Sequence, residues 1–351
     1  MNSVTLRIFS DRKYVPKGTD HVIMLYPFWG KNFEDSRDPS SGRFDRYSET
    51  GKDIFRLCTL EDSDVVVLPV DWDLARKRDD VGRLSKELLA LARGAKKGTV
   101  LFFWNDSEEE ILEPGTVVFR TSFYRSRRKN NEFAMPAWSE DIVARYAGNS
   151  LPIRPKSKKP VVGFCGYVPR RTLRRAVKRI VRSLAGRRPS DATIRQTALR
   201  YLDESPLVET NFIHRDQFLG GSLRPGGEVD YEALQRSRHE FVQNTFESDY
   251  VLCTRGAGNF SYRLYEVLSA GRIPVFLDTD CVLPYDFAID WKDYCVWVNE
   301  REAYAVAKKV AQFHESLSES AFRELQRKCR QLWVEHLSPE GYFRNFYKHF
   351  R

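Results

Sequence analysis

The sequence predicts an α/β protein built from two Rossmann-like domains, and three observations carry that prediction. Short β-branched or aromatic runs alternate with helical stretches in both halves of the chain. Runs such as Val65-Val66-Val67-Leu68 are continuously apolar, the pattern of a parallel sheet covered on both faces. The alternation stops between Gly148 and Pro160, where Asn149, Ser150, Pro152 and Pro155 interrupt it, and then begins again. The division that follows is 1–150, 151–337 and a terminal helical segment, 338–351, placed to cross back to the first domain. At 351 residues the chain is long enough for two cores.

In chain order, strands are predicted at Val4–Phe9, His21–Tyr26, Asp64–Val70, Thr99–Trp104 and Thr116–Phe119, with a helix over Leu74–Ala95. The second half opens with a strand at Val161–Cys165 and a turn at Gly166. A helix from Arg170 to Ala185 follows, because Leu173, Ala176, Val177, Ile180, Val181 and Leu184 form one apolar stripe. Strands at Asp249–Thr254, Ile273–Leu277 and Tyr294–Val298 then alternate with helices at Tyr231–Thr245, Ser261–Ala270, Glu300–Leu317 and Glu319–Glu335. Ligands of such folds sit beyond the carboxyl ends of the strands, so the strand-to-helix turns are where chemistry is sought.

Composition narrows the function. With 42% hydrophobic and 13% aromatic residues the chain is not disordered. A net charge of +9 favours anionic partners. No apolar run approaches the roughly 20 residues of a spanning helix, and Met1–Tyr14 reads as a strand rather than a leader, so a cytoplasmic protein is expected. The six cysteines, at positions 58, 165, 253, 281, 295 and 329, form no C-x-x-C pair, which argues against zinc and dithiol chemistry. Between Arg154 and Ser190 stand thirteen Lys or Arg and no acid. That face reads as solvated, as docking on an anionic membrane surface, or as binding an acidic glycan. Nucleic acid is the weaker reading, since no zinc finger, helix-turn-helix or ribonucleoprotein motif accompanies it.

The chemistry concentrates between Asp249 and Glu300. A strand ends at Thr254, a loop carries Arg255, Gly256 and Gly258, and a helix opens near Ser261. Glycines allow close backbone approach, and a helix N-terminus attracts phosphate. Arg255 and Arg263 add two forked cations suited to a diphosphate, and Glu266, three residues beyond Arg263, can share its face and take ribose hydroxyls. A glycine-rich turn with solvated arginines is the alternative reading of the same residues. Gly166, Tyr167 and Arg170 follow a strand end and can reach the phosphates from the opposite side. His214 is a further candidate at the cleft.

This stretch resembles the carboxyl-terminal half of the exostosin glycosyltransferases. The residues that carry the likeness are Cys253-Thr254-Arg255-Gly256, Ser261-Tyr262-Arg263-Leu264-Tyr265-Glu266, Ile273-Pro274-Val275, Leu283-Pro284-Tyr285 and Asp290-Trp291. The resemblance implies two Rossmann-like domains facing a cleft, the GT-B type, with a nucleotide-sugar donor in the second. It implies inverting transfer to a saccharide or lipid-linked saccharide, in surface polysaccharide synthesis, with no essential metal or other cofactor. By that likeness Glu266 holds the ribose, Arg255 and Arg263 the diphosphate, and Ser261 and Tyr262 lie beside the leaving group. The retaining pattern's second glutamate is replaced by Pro274. Asp278-Thr279-Asp280 is a D-x-D triplet, read here as a polar loop rather than a metal site. Inversion needs a base, for which Glu34, Asp35 and Asp71 of the first domain are the candidates. The rival classes are a binding module without turnover and a nucleic-acid-binding protein using 154–188.

Overall fold

The computed structural model describes residues 5–168, 191–224 and 226–350. Arg170 and the basic helix predicted over Arg170–Ala185 lie outside the described residues. The first lobe holds β1 (Leu6–Phe9), β2 (Phe55–Leu57), β3 (Val65–Val67), β4 (Thr99–Phe103), β5 (Thr116–Arg120) and β6 (Glu132–Ala134), in the order β2-β1-β3-β4-β5-β6. The second holds β7 (Val161–Tyr167), β8 (Glu209–Arg215), β9 (Tyr250–Cys253), β10 (Ile273–Asp278) and β11 (Val296–Asn299), in the order β11-β10-β9-β7-β8. Every pairing in both sheets is parallel. The predicted α/β class with two parallel sheets is therefore what the chain adopts.

The helices around these sheets are α1 (Tyr26–Trp29), α2 (Asp45–Thr50), α3 (Trp72–Lys77), α4 (Asp79–Gly94), α5 (Ile142–Tyr146), α6 (Asp191–Asp203), α7 (Tyr231–Phe246), α8 (Tyr262–Ser269), α9 (Val306–Ser316), α10 (Glu319–Leu332) and α11 (Pro339–Arg344). Three expectations change. The predicted helix over Glu300–Leu317 opens as a 3-10 segment, Glu300–Ala305, before α9. His21–Tyr26 is not a strand but a 3-10 turn running into α1; its residues are buried in succession, so period could not separate strand from helix, and Pro27 in the first turn favours a helix start. Leu74–Ala95 is two helices, because Arg78 is extended (φ −122°, ψ 123°). Asp71 caps α3 by accepting the Asp73 N–H at 2.9 Å.

The terminal segment closes over the first sheet. Tyr342, Phe343 and Phe346 are buried among Tyr47, Phe55, Phe102 and Phe119, with Phe119 and Phe346 centroids 4.4 Å apart. The loops after β5 and β10 clamp the lobes together. Arg125 donates to Asp278 at 3.3 Å and to the Cys281 carbonyl at 2.9 Å, and Ser126 donates to Asp280 at 2.6 Å. Asn259, wholly buried, receives the Thr279 hydroxyl and donates to the Phe123 carbonyl. Gly258 makes that seam possible, since a Cβ there would lie 2.9 Å from the Asp106 backbone. Asp278 and Asp280 of the D-x-D triplet are thus bonded across the seam between lobes. Among the described residues no helix is long and apolar enough to cross a membrane. Cys165, Cys253, Cys281, Cys295 and Cys329 are buried, and burial pushes their thiols up.

Candidate functional site

In the second sheet β7 lies between β8 and β9, and the chain leaves it first to β8 on one side and later to β9 on the other. The carboxyl ends of β7 and β9 therefore frame a topological switch point, where parallel sheets open a crevice for ligands. A cavity of about 440 Å³ occupies that crevice. It is lined from β7 by Cys165, Gly166 and Tyr167, from the loop after β9 by Thr254 and Gly256, and from the start of α8 by Ser261, Tyr262, Arg263 and Glu266. The first lobe closes it with Asp38, Pro39 and Ser40.

Arg263 is laid against β7. Its guanidinium sits 4.5 Å from the Phe164 ring centroid and donates to the Cys165 carbonyl at 2.8 Å. Glycine leaves the guanidinium this place, since a Cβ on Gly166 would meet Nη2 of Arg263 at 2.5 Å and push it aside. No carboxylate pairs with Arg263 among the described residues. Ser261 is the N-cap of α8, yet its hydroxyl makes no capping bond and is buried without a partner. The Leu264 amide bonds the Ser261 carbonyl at 3.2 Å, but among the described residues the Tyr262 and Arg263 amides that open α8 take no acceptor, and they stand beside a cation with no acid of its own.

Glu266 lies one turn along and is buried. Its carboxylate is paired with Arg238 of α7, and Arg238 also donates Nε–H to Glu140 at 2.6 Å. Burial alone would lower the pKa of Arg238, but Glu266 and Glu140 outweigh it and hold the guanidinium charged. Arg195 knits the strand ends, donating to Thr254 Oγ1 at 3.0 Å, the Tyr167 carbonyl at 3.0 Å and the Arg255 carbonyl at 2.9 Å. Arg215 fixes β8 to α7 through Ser237 and through Glu240 at 2.5 Å.

Seven of the sequence candidates share the cavity: Gly166, Tyr167, Gly256, Ser261, Tyr262, Arg263 and Glu266. Arg255 does not line it. Its guanidinium turns to the first lobe, donating to Tyr124 Oη at 2.8 Å and Glu108 at 3.0 Å. His214 is exposed on β8 and stacks on Phe212, while Arg215 beside it faces the crevice. Tyr262 donates to the Trp138 carbonyl at 2.9 Å and so spans the lobes.

None of the three base candidates reaches the cavity. Glu34 receives Lys31 and the Gly42 amide, each at 3.1 Å. Asp35 is gripped by Arg37, which holds its carboxyl well below the usual carboxylate range. Asp71 accepts the Asp73 and Trp104 amides and lines a separate cavity of about 270 Å³ with Tyr26, Asn32 and Trp138, where burial raises its pKa. The loop carrying Glu34 and Asp35 does reach the crevice, through Asp38, because Arg37 stacks on Tyr231 of α7 at 4.1 Å. Arg195, Arg215, Arg238, Glu140 and Asp38 escaped the sequence reading. Arg238 had a signal: it shares a helical face with Phe241, Val242 and Thr245, an arginine inside a buried stripe.

The sequence model of the exostosin GT47 domain family matches residues 125–313. The chain is similar to Exostosin-1 of Drosophila melanogaster, 36% identical over 72 residues covering 20% of this chain and 10% of that protein. It is similar to an Exostosin-1 homolog of Caenorhabditis elegans, 28% identical over 100 residues covering 28% and 25%. It is also similar to Exostosin-2 of Bos taurus, 29% identical over 111 residues covering 32% and 14%. The matched stretches thus span a tenth to a quarter of these relatives' length. A solved glycosyltransferase from Rickettsia africae ESF-5 aligns over 92% of this chain and 84% of that one, at 10% identity and a TM-score of 0.37.

Proposed function

This chain belongs to the exostosin GT47 family, and from that premise we propose that it transfers a sugar from a nucleoside diphosphate donor held in the β7–β9 crevice. The observation that carries the reading is Arg263, a guanidinium with no carboxylate partner beside the open N-terminus of α8 in a switch-point cavity. A diphosphate meets both needs: it supplies the missing anion and accepts from the free amides. Glu266 faces the ribose one turn further along, and Gly166 and Gly256 let the backbone approach.

The acceptor is a saccharide or lipid-linked saccharide entering between the lobes, and transfer inverts the anomeric carbon. The acceptor oxygen forms its bond to that carbon while the bond to the diphosphate oxygen breaks and its electron pair leaves with the nucleotide. Asp38, the first-lobe carboxylate that lines the cavity, takes the acceptor proton, and Arg263 with the α8 amides stabilises the departing charge. No metal is required on this reading, since two of the three residues of the D-x-D triplet, Asp278 and Asp280, are bonded across the seam.

A thermal-shift and calorimetric panel of uridine, guanosine, cytidine and thymidine diphosphates and their sugars tests the proposal, with and without magnesium. One base class should bind, unaffected by chelator, and Arg263→Ala should weaken binding by roughly 10-fold or more while the fold survives. Equal binding by parent and Arg263→Ala would refute the site.

A further inference from the structure

Arg238 lines the crevice, and the diphosphate reading leaves its bonds unused. It rises from α7 and stands between two buried carboxylates, Glu266 on α8 and Glu140 just before α5. Glu140 belongs to neither sheet; its own backbone carbonyl accepts the Ser269 hydroxyl at 3.1 Å, and Ser269 in turn accepts the Ile142 N–H at 2.9 Å. The carboxylate of Glu140 is thus fixed by the segment joining the lobes. It holds Arg238 from one side, and Arg238 holds Glu266 from the other. The guanidinium lies 4.8 Å from the Phe241 ring centroid, which restricts its swing. A lone carboxylate on a helix can adopt several rotamers, whereas one clamped by a planar, doubly anchored guanidinium keeps one.

We infer that Arg238, anchored by Glu140, is a positioning residue that aims the Glu266 carboxylate at the donor ribose, so that ribose recognition depends on the segment joining the two lobes. The inference rests on the donor-site reading above and adds to it a residue outside the diphosphate contacts. Its signature is selective. Misaiming Glu266 costs the bonds to the ribose hydroxyls and leaves the diphosphate grip of Arg263 intact. Arg238 and Glu140 line the same cavity wall as Glu266, so no long-range relay is needed.

The experiment is a calorimetric comparison of uridine and guanosine diphosphates with their 2′,3′-dideoxy analogues, on the parent chain and on Glu266→Gln, Arg238→Gln, Arg238→Lys and Glu140→Gln. The parent should prefer the tighter diphosphate over its dideoxy analogue by about tenfold or more, the worth of a hydrogen bond to a charged group. Glu266→Gln should bring that ratio close to one. Arg238→Gln should do the same with dideoxy affinity unchanged. Arg238→Lys should retain part of the preference, and Glu140→Gln, an isosteric change that removes only the charge holding Arg238 from its far side, should reduce it. A parent that binds neither diphosphate would overturn the donor site and this inference with it. A ratio that falls in Glu266→Gln but persists in Arg238→Gln would overturn this inference alone. Equal loss of diphosphate and dideoxy binding in Arg238→Gln would also overturn it, by showing a merely structural role.

Discussion

Replacing Gly166 by alanine separates the fold from the proposed donor site. The added Cβ would lie 2.5 Å from Nη2 of Arg263, about 1 Å inside ordinary contact. The obstructing atom is the tip of a flexible side chain, and Gly166 does not occupy the left-handed region, so β7 can accept the methyl by displacing the guanidinium. The displaced group loses its 2.8 Å bond to the Cys165 carbonyl and its place beside the α8 N-terminus. A hydrogen bond to a charged group is worth about 1.5–3 kcal/mol, so nucleoside diphosphate affinity should fall roughly 10- to 100-fold. The thermal midpoint should move by only about 2–4 °C. Calorimetry on Gly166→Ala, Arg263→Ala and the double variant makes the assay decisive. Both single changes act on one guanidinium, so the double variant should bind no more weakly than Arg263→Ala. Parental affinity in Gly166→Ala, or additive losses in the double variant, would refute the reasoning.

Other outcomes follow from the same geometry. Arg255→Ala should lower stability by about 1–3 kcal/mol, through its lost bonds to Tyr124 and Glu108, and leave nucleotide affinity unchanged; weakened affinity without lost stability would show that Arg255 serves the ligand. Phe346→Ala should cost about 3–5 kcal/mol in chemical denaturation, since the ring is wholly buried against Phe119 and Phe102; a loss under about 1 kcal/mol would show that the terminal segment does not anchor the first lobe. Burial pushes His349 down to about 4, against the smaller upward pull of its bond to the Phe346 carbonyl. The folded chain therefore resists protonation, and stability present above the unfolded value near pH 6.5 should drain away as pH falls toward 4, by about 3 kcal/mol in all. Denaturation midpoints at pH 7 and pH 4.5 should lie closer together in His349→Phe, the remaining gap coming from His21 and His336, which burial also lowers; an unchanged acid loss in that variant would assign it to other groups.

Much of the fold was legible because a parallel sheet buried on both faces writes itself as solid apolar runs, and Val65–Val67 and Tyr250–Cys253 are such runs. β2, β6 and β8 escaped because they are short or at a sheet edge, where half-exposed residues leave no pattern. The loop-to-helix stretch after β9 was legible residue by residue, since a glycine-bordered helix start is a local device. What sequence could not give was direction. Arg255 and Arg263 looked equivalent, but only Arg263 stands on the helix face that looks into the crevice. His214 and Arg215 are neighbours on one strand, and successive side chains leave a strand on opposite faces, so choosing between them needs the register with β7. Arg195, Arg238 and Asp38 reach the cavity from three distant segments, and only tertiary packing brings them there.

The most direct test is a crystal structure of the chain with its tightest-binding nucleoside diphosphate-sugar. The diphosphate should lie within hydrogen-bond distance of Arg263 and the first-turn amides of α8, with the ribose facing Glu266. A nucleotide seated instead in the cavity around Asp71, or in the cleft of about 920 Å³ beside Arg43 and Trp333, would contradict it.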